Sequence, residues 1–305
     1  MFLHHTASRA GVLACAALMA LGAIPAWADH LDYAVLFSGG FNQDSNHDYY
    51  YNATLNMWDL TVNTLGFDAS RVYVLSADGT DPAADLKSGG NSDWSAAVAR
   101  GSTVEAASSA NLASLFDHLA DTMTVDDSFY FWSFDHGGNS DPAQVQNSVL
   151  WGWNQEAIQA ADFAAWAADF QVKAQIYAFA QCYASGMAYA LTQYPRTNRF
   201  AAWASAWDES SWSDGWASAW AEGIQSGIRD TVPLGIYARD HDIFAAAGWE
   251  HPGFIGNNIN IVTNEAVVPE PHSVVLLATF VGLLVVVRKR RSAQPMRVDR
   301  VSSIG

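Results

Sequence analysis

A stretch with helical spacing sits between two apolar runs near the front of this chain, and that order of elements restricts how its strands can pair. "LDYAVLFSGG" is strand-like and is closed by Gly39-Gly40. From Tyr49 to Leu65 the apolar residues Leu55, Trp58, Leu60 and Leu65 recur near helical spacing, and Gly66 follows as a C-cap. "RVYVLSA" is then a second strand. A helix between two strands is a crossover, which is the connection that parallel strands need. The alternation continues through the helix "ANLASLFDHLADTM", the strand "DSFYFWSFDHGG", the helix "EAIQAADFAAWAADFQ", the strand "AQIYAFAQC", the helix "SGMAYALTQY" and the strand "RFAAWASA". The expected fold class is α/β, a mostly parallel sheet with helices on both faces. "WASAW" occurs twice, at Trp203 and at Trp216; it reads once as strand and once as helix, not as a repeat architecture.

The two ends of the chain read as sorting signals. Residues 1–28 carry a basic start ending at Arg9, an apolar stretch from Ala10 to Pro25 and Ala26-Trp27-Ala28 before Asp29, the pattern of a cleavable secretory signal peptide. At the other end "VPEPHSVVLLATFVGLLVVVRKRR" joins a Pro-Glu-Pro triplet, an apolar run from Val274 to Val287 and the basic cluster Arg288 to Arg291. It reads as a membrane segment whose basic end stays in the cytoplasm. At helical rise the run spans roughly 21 Å, short against a hydrocarbon core of about 30 Å. The pattern resembles the PEP-CTERM sorting signal of Gram-negative bacteria. That resemblance implies processing near the triplet by an exosortase, transient anchoring in the inner membrane, and a final place in the cell envelope or extracellular matrix. The expected organisation is a signal peptide (1–28), a central domain (29–266), the sorting signal with its transmembrane segment (267–291) and a cytoplasmic tail (292–305).

The formal net charge is −16, and six of the basic residues follow Val287, so the central domain is more acidic still. Charge therefore excludes binding to nucleic acid or anionic lipid, while a cationic substrate would be attracted. Of the two cysteines, Cys15 lies in the signal peptide, which leaves Cys182 without an internal disulfide partner. An unpaired thiol in an exported protein is either a buried filler or a reactive group. No HExxH, CxxC, phosphate-cradling glycine loop or GxSxG is present. No metal or cofactor is expected: "DSNHD" is calcium-loop-like but lacks the Gly and Glu that an EF-hand needs, and His241 between Asp240 and Asp242 reads as a surface cluster.

In an open parallel sheet, ligands bind beyond the carboxyl ends of the strands. His136 and Cys182 both fall just past such an end, and that coincidence is the reason to pair them. A cysteine nucleophile needs thiolate character, a base, and amides for the oxyanion. Cys182 stands ahead of a helix N-terminus, which favours negative charge, and Gly137 and Gly138 allow close backbone approach.

"FYFWSFDHGG" and "IYAFAQCYASGM" together resemble the paired signatures of clan CD cysteine peptidases, of caspase-like fold, and are most similar to the legumain branch. The resemblance runs from about Tyr33 to Gly223. "FAAWASAWDESSW" is similar to the strand and Glu-Ser-Ser-aromatic loop that follow the nucleophile, and "DGWASAWAEG" to the next helix. It implies Cys182 as nucleophile, His136 as general base and acid, and the Gly137 and Cys182 amides as oxyanion hole. It places Asp48 where the family has an asparagine that orients the histidine. Substrate-binding positions fall at Tyr50, Gln181, Ser210, Ser211 and Asp214. The family's pocket arginine and one of its two acids are missing, so the remaining acid favours a cationic side chain before the cut. The implied activity is hydrolysis of a peptide or protein substrate through a thioester acyl-enzyme. Alternatives are transpeptidation by the same dyad, or an inactive surface or matrix protein that binds through the fold.

Overall fold

Strands that are apolar on both faces must be covered on both sides, and the chain arranges this with one sheet between two helical layers. The computed structural model describes residues 32–262 apart from 142 and 197. The signal peptide, the apolar run of the sorting signal and the tail lie outside the described residues. Among those described, no helix is long and apolar enough to cross a membrane.

The central strands are β1 (Asp32–Ser38), β2 (Val72–Ser76), β3 (Thr103–Glu105), β4 (Ser128–Ser133), β8 (Ala174–Phe179) and β9 (Arg199–Trp203), all parallel, with β10 (Gly253–Gly256) antiparallel on one edge. Their order is β10-β9-β8-β4-β1-β2-β3. From β1 the chain moves outward through β2 and β3, then returns to β4 on the other side. The switch point, where crossovers diverge and leave a crevice, lies between β1 and β4.

Strand residues alternate between two cores. Ala34 and Leu36 face one, with Met57 and Trp58 of α1 (Asp48–Asp59), Trp216 and Trp220 of α6 (Gly215–Gln225) and Leu234 of α7 (Thr231–His241). Tyr33, Val35 and Phe37 face the other, with Phe116 of α3 (Ser109–Thr122), Phe163 of α4 (Ala160–Ala168) and Met187 of α5 (Ser185–Leu191). The α/β class, the parallel sheet and its two helical covers are thus as expected. α1 runs on into a widened turn, Leu60–Thr64, that buries Leu60, Thr61 and Val62 before Gly66 (φ 86°) ends it.

One expected helix is shortened. In "EAIQAADFAAWAADFQ" the segment Ala157–Gln159 is strand β7, and the helix begins only at Ala160. β7 completes a small antiparallel sheet with β5 (Gly137–Asn139) and β6 (Ser148–Trp151), which buries Ile158. Of the repeated "WASAW", the first copy starts in β9 and the second lies in α6, where Trp216 and Trp220 stack at 5.1 Å.

Candidate active site

The β4–β8 ladder brings the two candidate catalytic residues level. Ser133 pairs with Phe179, and His136 and Cys182 each lie three residues beyond. Ala180 N–H donates to the Ser133 carbonyl at 2.8 Å and extends the pairing past the strand ends. Gly137 then packs on Cys182 itself: a Cβ there would lie 2.0 Å from the Cys182 carbonyl oxygen. Only glycine permits that approach.

His136 is fixed by its neighbours and by the loop after β1. Its Nε2 lies 3.0 Å from the Ser45 carbonyl oxygen. A carbonyl can only accept, so Nε2 carries the proton and Nδ1 keeps the lone pair of a base. The ring also meets Phe41 and Tyr50 edge-on, at 6.0 and 5.1 Å. Beneath it, buried Asp135 accepts from Ser38 Oγ at 3.0 Å, from His136 N–H at 2.6 Å and from Gly40 N–H. Asp135 therefore staples the end of β4 to the end of β1 across the switch point. Burial pushes its carboxyl up from the ordinary range, against the opposing effects of the His136 ring and these donors.

Cys182 is a free, half-buried thiol. Its Sγ donates to the Ser211 carbonyl at 3.5 Å. The Ser210 hydroxyl and the Gly137 N–H also bond to it. Burial outweighs these contacts and pushes the thiol up. The expected thiolate at a helix N-terminus is thus corrected to a protonated resting thiol. α5 begins only at Ser185, after a turn in which Tyr183 takes φ 56°, and desolvation dominates at the sulfur.

The remaining sequence-derived positions divide. Ser210 and Ser211 stand at the sulfur. Asp214 lines a cavity of about 340 Å³ with Tyr49, Asn52 and Asn56 of α1 and Ser218 of α6. Its carboxylate accepts from Ser213 and Ser218, both at 3.1 Å. Tyr50 is buried against His136 and Phe134, outside that lining. Gln181 is buried beneath the site, where its Oε1 accepts from Ser133 Oγ at 2.7 Å. Asp48 accepts from Ser88 Oγ at 2.6 Å, and the group bonded to the His136 ring is the Ser45 carbonyl.

Several residues of the site escaped sequence reasoning. Asp135 stood in view inside "FDHGG", but nothing local shows that its carboxylate reaches Gly40. Tyr49 lies within electrostatic reach of Asp135, Asp214 and Cys182; burial chiefly, then these charges, raise its hydroxyl. Trp212 and Trp249, 49% and 55% exposed, form an aromatic pair 5.3 Å apart beside Ser211. Glu250 enters this corner from the far end of the domain, and its Oε2 accepts Trp212 N–H at 2.8 Å.

No family model matches the chain, and no curated protein matches it in sequence. Among solved structures it is similar in chain trace to protein GSU0716 from Geobacter sulfurreducens, at 10% identity and a TM-score of 0.49, over 77% of this chain and 97% of that one. It is also similar to drICE, a caspase, at 10% identity and a TM-score of 0.42, over 75% of this chain and 88% of that one.

Proposed function

We propose that this protein is a cysteine endopeptidase of legumain-like type that works through a His136/Cys182 dyad. The observation that carries the reading is the packing of Gly137 on the Cys182 backbone, which seats a thiol, an amide donor and an oriented imidazole at two adjoining strand ends. The thiol gives its proton to His136 Nδ1 as sulfur attacks the substrate carbonyl carbon. The Gly137 and Cys182 N–H groups receive the oxyanion. His136 then protonates the departing amine, which leaves a thioester; the same nitrogen takes a proton from the water that attacks the thioester and returns it to the sulfur as the acid is released. The cavity lined by Asp214, Tyr49, Asn52 and Asn56 would take the side chain before the cut, and its acid favours Arg or Lys. The terminal signals support export, exosortase processing and delivery to the cell envelope.

A panel of fluorogenic peptides with Arg, Lys or Asn before the cut tests this reading. Cleavage after Arg and Lys is expected. Cys182→Ala should abolish it, and His136→Ala should reduce kcat by about 10²–10⁴-fold. Cleavage after Asn alone would overturn the specificity. Slow alkylation of Cys182 in both wild type and His136→Ala, with no peptide cut, would favour a binding scaffold.

A further inference from the structure

The loop that walls Cys182 is held by two consecutive residues just ahead of β10. Glu250 accepts Trp212 N–H at 2.8 Å and also bonds the Ser211 side chain. His251 donates its N–H to Glu209 at 2.6 Å, and its Nδ1 lies 2.7 Å from the other oxygen of the same carboxylate. Glu209 in turn accepts Ala206 N–H at 2.8 Å, and its carbonyl accepts Tyr183 N–H at 2.9 Å. The Ser211 carbonyl is the acceptor of the Cys182 thiol, so whatever sets this loop sets the sulfur.

Glu250 is not alone behind the loop. It is 1% exposed and lies against Asp242, 0% exposed, which follows α7. Glu250 Oε1 and Asp242 Oδ2 are both buried and, among the described residues, neither has a donor. Asp242 Oδ1 is committed to Phe244 N–H at 2.9 Å, the cap of α8 (Ile243–Ala246). Two buried carboxylates cannot face each other with both charged, whereas one proton between them satisfies both orphaned oxygens. Burial first, and then Asp242, push the Glu250 carboxyl up to about 9. The other groups that bear on the pair are the Ser211 hydroxyl and Trp212 N–H of the loop, the Cys182 thiol, and the Gly215 backbone at the start of α6. Asp214 beside that glycine is engaged with Ser213 and Ser218, and His251 with Glu209.

We propose that Glu250 is a positioning residue for Cys182. As a carboxylic acid sharing its proton with Asp242, it fixes Ser211 and Trp212 so that the Ser211 carbonyl takes the thiol, and it releases the loop when it becomes a carboxylate. The consequence for catalysis rests on the peptidase reading; the loop behaviour does not. Its test is the tryptophan emission of the full-length protein followed from pH 6 to 10.5, with the rate of Cys182 alkylation by iodoacetamide compared between variants at pH 7.5 alone. Wild type should show a step in emission near pH 9, as the Trp212–Trp249 pair comes apart. Glu250→Gln keeps an acceptor for Trp212 and a donor for Asp242, so it should match wild type at pH 7.5 and lose the step. Glu250→Ala should show the alkaline wild-type emission, and faster alkylation than wild type, already at pH 7.5. A step that persists in Glu250→Gln would overturn the proposal, as would a step that moves with added calcium or chelator, which would mean a cation and not a proton joins the carboxyls. If the step behaves as expected while no peptide is cut, the peptidase reading fails and the positioning role stands.

Discussion

At Gly137 a methyl group has nowhere to go. It would lie 2.0 Å from the Cys182 carbonyl oxygen, with Gln181 Cγ at 2.8 Å behind it. Gly137→Ala should therefore cost about 1–3 kcal/mol in urea unfolding and remove peptidase activity, because the strand ends must part to admit the Cβ. Gly138 meets the Trp151 indole and Gly186 meets Ser148 just as closely, at 2.8 and 1.8 Å from the added carbon. The fold needs Gly138 and Gly186 whether or not the protein cuts peptides, so the presence of those two does not separate an enzyme from a scaffold. That distinction falls to the side chains of His136 and Cys182. Asp135→Ala would leave the Gly40 and His136 N–H groups without their acceptor, at about 1–3 kcal/mol for each buried donor. It should lower the Tm and loosen the imidazole, read as a fall in kcat with KM little changed.

The elements carry a pH dependence of their own. The native state holds a proton on Glu250 up to about 9, while the unfolded chain releases it near the ordinary value of 4.5. Between those limits the folded protein binds more protons than the unfolded chain, so stability is fully present at low pH and falls as pH rises. Thermal melts should drop from pH 5 to pH 9 in wild type and drop less in Glu250→Gln. The central strands were legible because "LDYAVLFSGG" and "DSFYFWSFDHGG" are apolar on both faces, and a crossover helix leaves parallel pairing as the way to bury them. The edges were not. β3 is three residues long with exposed Thr103 and Glu105, and β10 is half-exposed and defined only by its register with β9. Ala157–Gln159 carries helix-forming residues that tertiary pairing overrides. His136 and Cys182 could be paired from the sequence because each follows its strand directly. The groups bonded to it, Ser45 at His136 and the Glu250-held loop at Cys182, come from segments remote in sequence and leave no local mark.

For the molecule as a whole, one face of the sheet is held by an aromatic cluster. Phe116 is buried among Phe129, Phe131, Phe163 and Phe170, with ring centroids 5.0–6.2 Å away. Phe116→Ala should cost about 3–5 kcal/mol in urea unfolding and leave Cys182 alkylation at 25 °C unchanged in the folded fraction. The protonated state of Cys182 acts on a different property, the working life of the protein. Peroxides attack the thiolate, as alkylating agents do, and the resulting sulfenic acid leads onward to irreversible oxides. A sulfur that rests as S–H on the Ser211 carbonyl presents little thiolate. The burial that opposes its ionisation thus doubles as a preservative, letting an unpaired cysteine last among oxidants.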